Sequence, residues 1–403
     1  MLLTSSIQYN LLMKFGHMPG LDGLRGVFVL AVVCFHVGVP FMGGGFLGVD
    51  GFFTLSGFLI TSLLLNEYRT VGHISLSKFY FRRACRLLPA AIAMLTIVGI
   101  FIFLNNPSPA SVAGNTLGIW SALLYVSNWA GIPAGPGSLT NLGAFNQMWS
   151  LSIEEQFYIL WPLGLGLLLR YRKRHIHLAV ISLIAISVAI RIGLCLSQGE
   201  LARWRINGGT DTRADGLLIG CLLAILISFG TLRFPVWATR LGAIFSVGTF
   251  AALCAFGDFS TVLGHSGGVA LTALSVAVMI LHLHVSPQGS FSRLLSARPL
   301  AGVGVVSYGV YLWHFPICVL VPATSWADWP MQLIRAAFIV LAVTFSYRYV
   351  EQPFMRLKNR SRVASFSTML PASPIHAEQA TTGASRAASE LGPMPPAPPV
   401  QAV

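Results

Sequence analysis

Apolar windows long enough to cross a bilayer recur from residue 24 to residue 350. In lipid such a stretch must satisfy its own backbone hydrogen bonds, and a helix does so within one segment. Only 10% of the residues are charged, against about a quarter in a soluble domain. The chain therefore reads as all-α, a polytopic integral membrane helix bundle. Its formal net charge of +13 comes from basic clusters set between the apolar windows. That pattern fits loops facing anionic lipid, or an anionic substrate, and does not suggest a nucleic-acid-binding face.

The windows fall near residues 24–42, 46–66, 87–104, 112–130, 149–169, 176–197, 214–230, 238–257, 265–285, 299–322 and 332–350. Basic clusters stand at Arg69–Arg86, Arg170–Arg174, Arg233–Arg240, Arg293–Arg298 and Arg348–Arg362. If all are cytoplasmic, an even number of spans must separate neighbouring clusters. Only the interval from Arg86 to Arg170 breaks the rule, with three windows. The weakest, 112–130, is interrupted by Gly114, Asn115, Gly118, Ser121 and Asn128. Read as a re-entrant or outer-face segment, it leaves about ten spans with both termini cytoplasmic.

Residues 1–19 lack the ordered regions of a secretory signal and read as a cytoplasmic segment, with the first span as insertion signal. Residues 20–357 form the membrane domain. Residues 358–403, rich in Ala, Ser and Pro, read as a disordered cytoplasmic tail. The six cysteines have no metal-ligand spacing, so neither a metal site nor a disulfide framework is expected.

The candidate site residues begin with LDGLRGVFVLAVVCFH at Leu21–His36. Eleven helical residues separate Arg25 from His36, placing them on one face about 16 Å apart, with His36 in mid-span. An ionisable group inside a span normally faces the bundle interior, and His36 reads either as a functional group there or as a buried histidine hydrogen-bonded to a neighbouring carbonyl. In GVDGFFTLSGFLI, Asp50 lies near the end of the first span and reads as an interfacial carboxylate or as a group that orients the His36 imidazole. Ser56 and Gly57 permit close helix approach. Farther on, Lys78, Arg82 and Arg86 step by four along one side of a helix, with Arg83 beside them. They read as lipid anchors or as a site for a polyanion such as coenzyme A.

In NQMWSLSIEEQFYILWP, Ser152 and Glu155 have capping-box spacing, and Glu154 and Glu155 sit at the outer mouth with Tyr158 one turn inside. They read as capping residues, as sugar contacts, or as tuners of a general base. Arg213 and Asp215 stand where an outer loop meets the next span, either as carbohydrate contacts or as interfacial anchors. His314, in SYGVYLWHFPI, precedes Phe315-Pro316 and reads as a partner for backbone groups freed by the proline, or as a substrate contact.

Taken in order, these motifs, together with TRADGLLIG and the closing VEQPF at Val350–Phe354, resemble the acyltransferase 3 family of bacterial membrane proteins over residues 20 to about 357. Gly51 and Thr54 are small departures where that family more often carries larger apolar residues. The resemblance implies the stand-alone type, without an extracytoplasmic hydrolase-like domain, in a bacterial cytoplasmic membrane. It implies transfer of an acyl group, most often acetyl, from cytoplasmic acyl-CoA to a carbohydrate hydroxyl outside. Lipopolysaccharide, exopolysaccharide, peptidoglycan, a glycolipid or a glycosylated small molecule are the acceptor classes.

The resemblance further points to Arg25 and His36 as essential, to Arg83 and Arg86 at the donor site, and to Glu154 or Glu155 in support. His36 is then a general base or an acyl-carrying nucleophile. Lys78, Arg82, Arg83 and Arg86 dock acetyl-CoA, while Asp50, Tyr158, Arg213, Asp215 and His314 are substrate-binding candidates. A transporter also accommodates ionisable residues in spans, but it gives the basic row no role. A scaffold leaves the Arg25–His36 spacing unexplained.

Overall fold

A computed structural model describes residues 18–105, 108–132, 142–197, 200–257 and 262–356. The chain divides into two units, residues 1–353 and 354–403, and only 354–356 of the second are described. The expectations for residues 1–17 and for the tail at 358–403 lie outside the described residues.

Among the described residues all regular structure is helical. The helices are α1 (Pro19–His36), α2 (Gly48–Val71), α3 (Leu76–Asn105), α4 (Pro109–Leu123), α5 (Ser127–Ala130), α6 (Met148–Tyr171), α7 (Ile176–Ser197) and α8 (Glu200–Gly208). There follow α9 (Thr210–Ser228), α10 (Val236–Phe256), α11 (Val262–Val285), α12 (Ser290–Leu295), α13 (Arg298–Val305), α14 (Ser307–Leu320) and α15 (Trp329–Phe345). A π-turn at Ser346–Glu351 continues α15.

This is a polytopic membrane helix bundle. Seven of the described helices are long and apolar enough to cross a membrane, or up to eight if α13 and α14, bent by 72°, form one span. The other two of the ten expected spans correspond to α6 and α9. Glu154 and Glu155 interrupt the first, and Asp211, Arg213 and Asp215 the second. The 112–130 window overlaps the 15-residue α4, about 22 Å long and short of a bilayer's apolar core of about 30 Å. Its polar residues turn inward. Asn115 donates to Ser111 O (2.8 Å) and accepts from Ala144 N (3.0 Å), and Asn128 donates to Gly208 O (2.8 Å).

Two glycine-mediated crossings set the centre of the bundle. A Cβ on Gly57 of α2 would lie 1.9 Å from Leu217 O, and one on Gly220 of α9 would lie 2.0 Å from Thr54 O. The backbones of α2 and α9 therefore touch, as small residues in a span allow. Likewise α1 is held against α12 and α13, where a Cβ on Gly23 would meet Leu295 O and one on Gly304 would meet Asp22 O.

Around these crossings Phe53, Leu64, Ile153, Trp161 and Leu217 pack as one core, and Phe28, Phe58, Phe250, Val276 and Leu283 as a second. Helix α6 is two-sided. Phe157, Trp161, Leu165 and Leu169 are buried, while Leu160, Leu163 and Leu167 form an exposed apolar stripe suited to lipid. Glu154 and Tyr158, one turn apart, thus face the interior.

Candidate active site

Helix α1 carries an arginine near its start and a histidine at its end, and each meets a different group of side chains. His36 is the last helical residue of α1, before the C-cap Val37, and is not in the middle of the helix as expected. Gly38 adopts φ +78°, Gly38 N donates to Phe35 O (3.1 Å), and Val39 N donates to Cys34 O (2.9 Å). This is a Schellman arrangement, with glycine in the left-handed position. Pro40 follows, has no N–H, and disfavours helix in the residue before it.

The half-buried His36 ring lies between Phe35 and Phe315, with ring centroids 5.0 and 5.2 Å away. Its Nδ1 is 2.9 Å from Val32 O and 3.4 Å from His314 Nε2. Asp50 is therefore not its orienting partner. His314 Nδ1 in turn sits 2.8 Å from Tyr311 O and 3.1 Å from Val310 O. The carbonyl freed by Pro316 is that of Leu312, four residues earlier. It accepts from Gln147 Nε2 (3.2 Å), so the proline is not what occupies His314. The bend between α13 and α14 carries His314 down to the end of α1.

The second group surrounds Arg25. Arg25 Nη1 donates to Asp22 Oδ1 (3.1 Å). Arg83 stacks on the Tyr158 ring, its Cζ 3.7 Å from the centroid. Tyr158 Oη donates to Glu154 Oε1 (3.3 Å), and Ser56 hydrogen-bonds the Glu154 and Tyr158 side chains. The charges of Arg25 and Arg83 act on both Arg86 and Glu154, and Glu155 also lies within reach of Arg83. From the π-turn, Glu351 adds its charge near Arg86.

The sequence reading put the glutamates and the arginine row at opposite ends of the bundle. The structure joins them, because Glu154 and Tyr158 project from the second and third turns of α6 and Arg83 and Arg86 from the second and third turns of α3. The capping box is likewise corrected. α6 begins at Met148, so Ser152 is already inside the helix, and its Oγ donates to Met148 O (3.0 Å). Nor does the basic row act as one unit. Lys78 is exposed, Arg82 turns to Glu67 (3.4 Å), and only Arg83 and Arg86 join the interior.

A third cluster contains two buried ion pairs. Arg213 Nη2 lies 3.0 Å from Asp50 Oδ1, and Arg191 Nη2 lies 2.5 Å from Asp215 Oδ2. All four side chains are at most 3% exposed, and Arg213 stands near the faces of Trp149 and Phe53. Arg213 and Asp215 lie within helix α9, so they are internal struts and not loop-surface contacts. Arg191 was missed by the sequence reading, although a cation inside the 176–197 window was its signal. Arg335 was missed for the same reason. It donates to Val321 O (2.7 Å) and Cys318 O (2.9 Å), capping the C-terminal end of α14.

The family described as an acyltransferase domain matches residues 18–349, a range that contains all three clusters except Glu351. The chain belongs to this acyltransferase 3 family. It is 34% identical over 360 residues to the O-acetyltransferase OatA of Staphylococcus aureus (strain NCTC 8325), covering 84% of this chain and 57% of that protein. It is 34% identical over 352 residues to the putative peptidoglycan O-acetyltransferase YrhL of Bacillus subtilis (strain 168), covering 84% and 55%. To the peptidoglycan O-acetyltransferase OatA of Listeria monocytogenes it is 33% identical over 356 residues, covering 84% and 56%. This acyltransferase 3 chain thus spans a little over half the length of the curated relatives it matches. No solved structure matches it.

Proposed function

We propose that this protein is a membrane O-acyltransferase that moves an acetyl or other short acyl group from cytoplasmic acyl-CoA to a carbohydrate hydroxyl outside the bacterial cytoplasmic membrane. The observation that carries the reading is the layout of α1. One end is set in an arginine–glutamate cluster, and the other ends on a half-buried histidine about 16 Å away. Peptidoglycan is the first acceptor to test, because two of the relatives are named for it. Lipopolysaccharide, exopolysaccharide and glycolipid follow.

The donor suits the arginine cluster. Arg83 Nε is buried without a hydrogen-bond partner, and Arg86 faces the like charges of Arg25 and Arg83. Guanidiniums so placed bind phosphate oxygens through paired N–H groups. When bound, the thioester supplies an activated acyl carbon. The net reaction forms the ester C–O bond and breaks the thioester C–S bond, and the hydroxyl proton ends on the released thiol. His36 takes that proton from the acceptor oxygen, and its aromatic walls keep the ring in place. Glu154, held by Tyr158 and Ser56, balances the arginines.

The test uses sealed vesicles containing the full chain and acetyl-CoA labelled in the acetyl group, with peptidoglycan fragments as acceptor. Label should pass to base-labile ester on the fragments, and replacing Arg83 and Arg86 together by Met should raise the KM for acetyl-CoA. An unchanged response to donor concentration in that variant would remove the arginines from the donor site.

A further inference from the structure

The pairing of His36 with His314 determines which ring nitrogen of each carries a proton. His314 Nδ1 is held between two backbone carbonyls, at 2.8 and 3.1 Å. A carbonyl only accepts, so this nitrogen carries hydrogen. In a neutral imidazole the other nitrogen is then a bare acceptor. That acceptor, Nε2, points at His36 Nδ1 across 3.4 Å. His36 Nδ1 also faces the Val32 carbonyl at 2.9 Å, so both of its neighbours are acceptors. His36 must therefore carry its proton on Nδ1, which leaves Nε2 as the lone-pair nitrogen. A second proton on His314 would set N–H against N–H.

We propose that His314 is a positioning residue: together with the Val32 carbonyl it holds His36 in the Nδ1–H tautomer, and it accepts from that N–H as the His36 ring becomes cationic. It does with a neutral imidazole what a carboxylate does for the histidine of a hydrolase triad. His314 is fully buried and the His36–His314 centroids are 5.0 Å apart, so the ring has little freedom to turn away. His314 need not touch the acceptor, and this separates it from the substrate-contact role expected from its sequence. The inference rests on the proposal that His36 Nε2 takes the hydroxyl proton, but its tautomer claim stands apart from any activity.

Two measurements test it. The first is the ¹⁵N-imidazole spectrum of the full chain in lipid nanodiscs, with the His36 signals assigned by their loss in His36→Gln. We expect hydrogen on Nδ1 and a bare Nε2 in the intact protein. That state should persist in His314→Gln, whose amide oxygen also accepts, and in His314→Leu, where the Val32 carbonyl still accepts. The Nδ1–H signal should move in His314→Leu and not in His314→Gln, because one acceptor is lost. Hydrogen on His36 Nε2 in the intact protein would overturn the assignment.

The second is transfer of labelled acetyl from acetyl-CoA to peptidoglycan fragments. His314→Leu should lower kcat about 100-fold, the lower end of what general-base catalysis supplies, with little change in the KM for acetyl-CoA. His314→Gln should recover most of that loss. Equal losses in both variants, or a loss confined to KM, would contradict the positioning role. If the intact protein transfers nothing, the proposed reaction fails while the spectrum still decides the tautomer.

Discussion

Removing one member of the Asp50–Arg213 pair tests the buried ion cluster most sharply. The two charges lie 3.0 Å apart at their nearest atoms with side chains 2% exposed, and the neighbouring Arg191 and Asp215 already neutralise each other. Arg213→Met therefore leaves the Asp50 carboxylate without a counter-charge in the bundle interior. Two unit charges about 4 Å apart at an effective dielectric constant of about 20 attract by about 4 kcal/mol. Loss of one partner of a buried pair costs a similar amount, about 3–5 kcal/mol.

Asp50 Oδ2 and Arg213 Nε and Nη1 have no hydrogen-bond partner, so the pair already bears part of its desolvation cost uncompensated. Replacing both residues, Asp50→Leu with Arg213→Met, should then cost less than either single change. Equilibrium unfolding of the purified chain in mixed micelles, titrated with a denaturing detergent, measures all four corners of the cycle. Single variants that each lose under about 1 kcal/mol and add in the double variant would refute the reasoning.

Gly57→Leu should weaken the bundle by more than the about 1–3 kcal/mol usual for overpacking, because its Cβ would lie 1.9 Å from the Leu217 carbonyl oxygen and cannot be relieved by a rotamer change. A reduced melting temperature in the same micelles checks it. Gly38→Val, at φ +78°, should cost about 1–2 kcal/mol and loosen the turn two residues beyond His36. Transfer should slow more than stability falls, and equal effects on a Gly72→Val control (φ +81°), distant in sequence from His36, would argue against a specific role for the turn.

The amino-acid sequence displays much of this arrangement. Arg25 and His36 lie on one helix as their spacing requires, and the helix overlapping the polar 112–130 window is short for a bilayer span. Gly57 marks the close approach of α2 to another helix, though only the fold shows that the partner is α9. What stayed hidden depends on contacts between residues far apart in the chain. Spacing along α6 cannot reveal that Glu154 meets Arg83 of α3. Asp50 is close to His36 in sequence, yet Arg213, more than 160 residues later, takes its charge. His314 reaches His36 only because the chain bends between α13 and α14, and Val306 at that bend carries no turn signature.

The central claim is that His36 lies at the centre of acyl transfer to an envelope carbohydrate. The direct measurement is base-labile O-acyl ester, identified by mass, on envelope and secreted carbohydrates from cells lacking the protein, cells with it restored, and cells carrying His36→Ala at equal membrane abundance. Ester that returns only with the intact protein is the predicted result, and its mass names both the acyl group and the acceptor. Ester restored equally by His36→Ala would contradict the account.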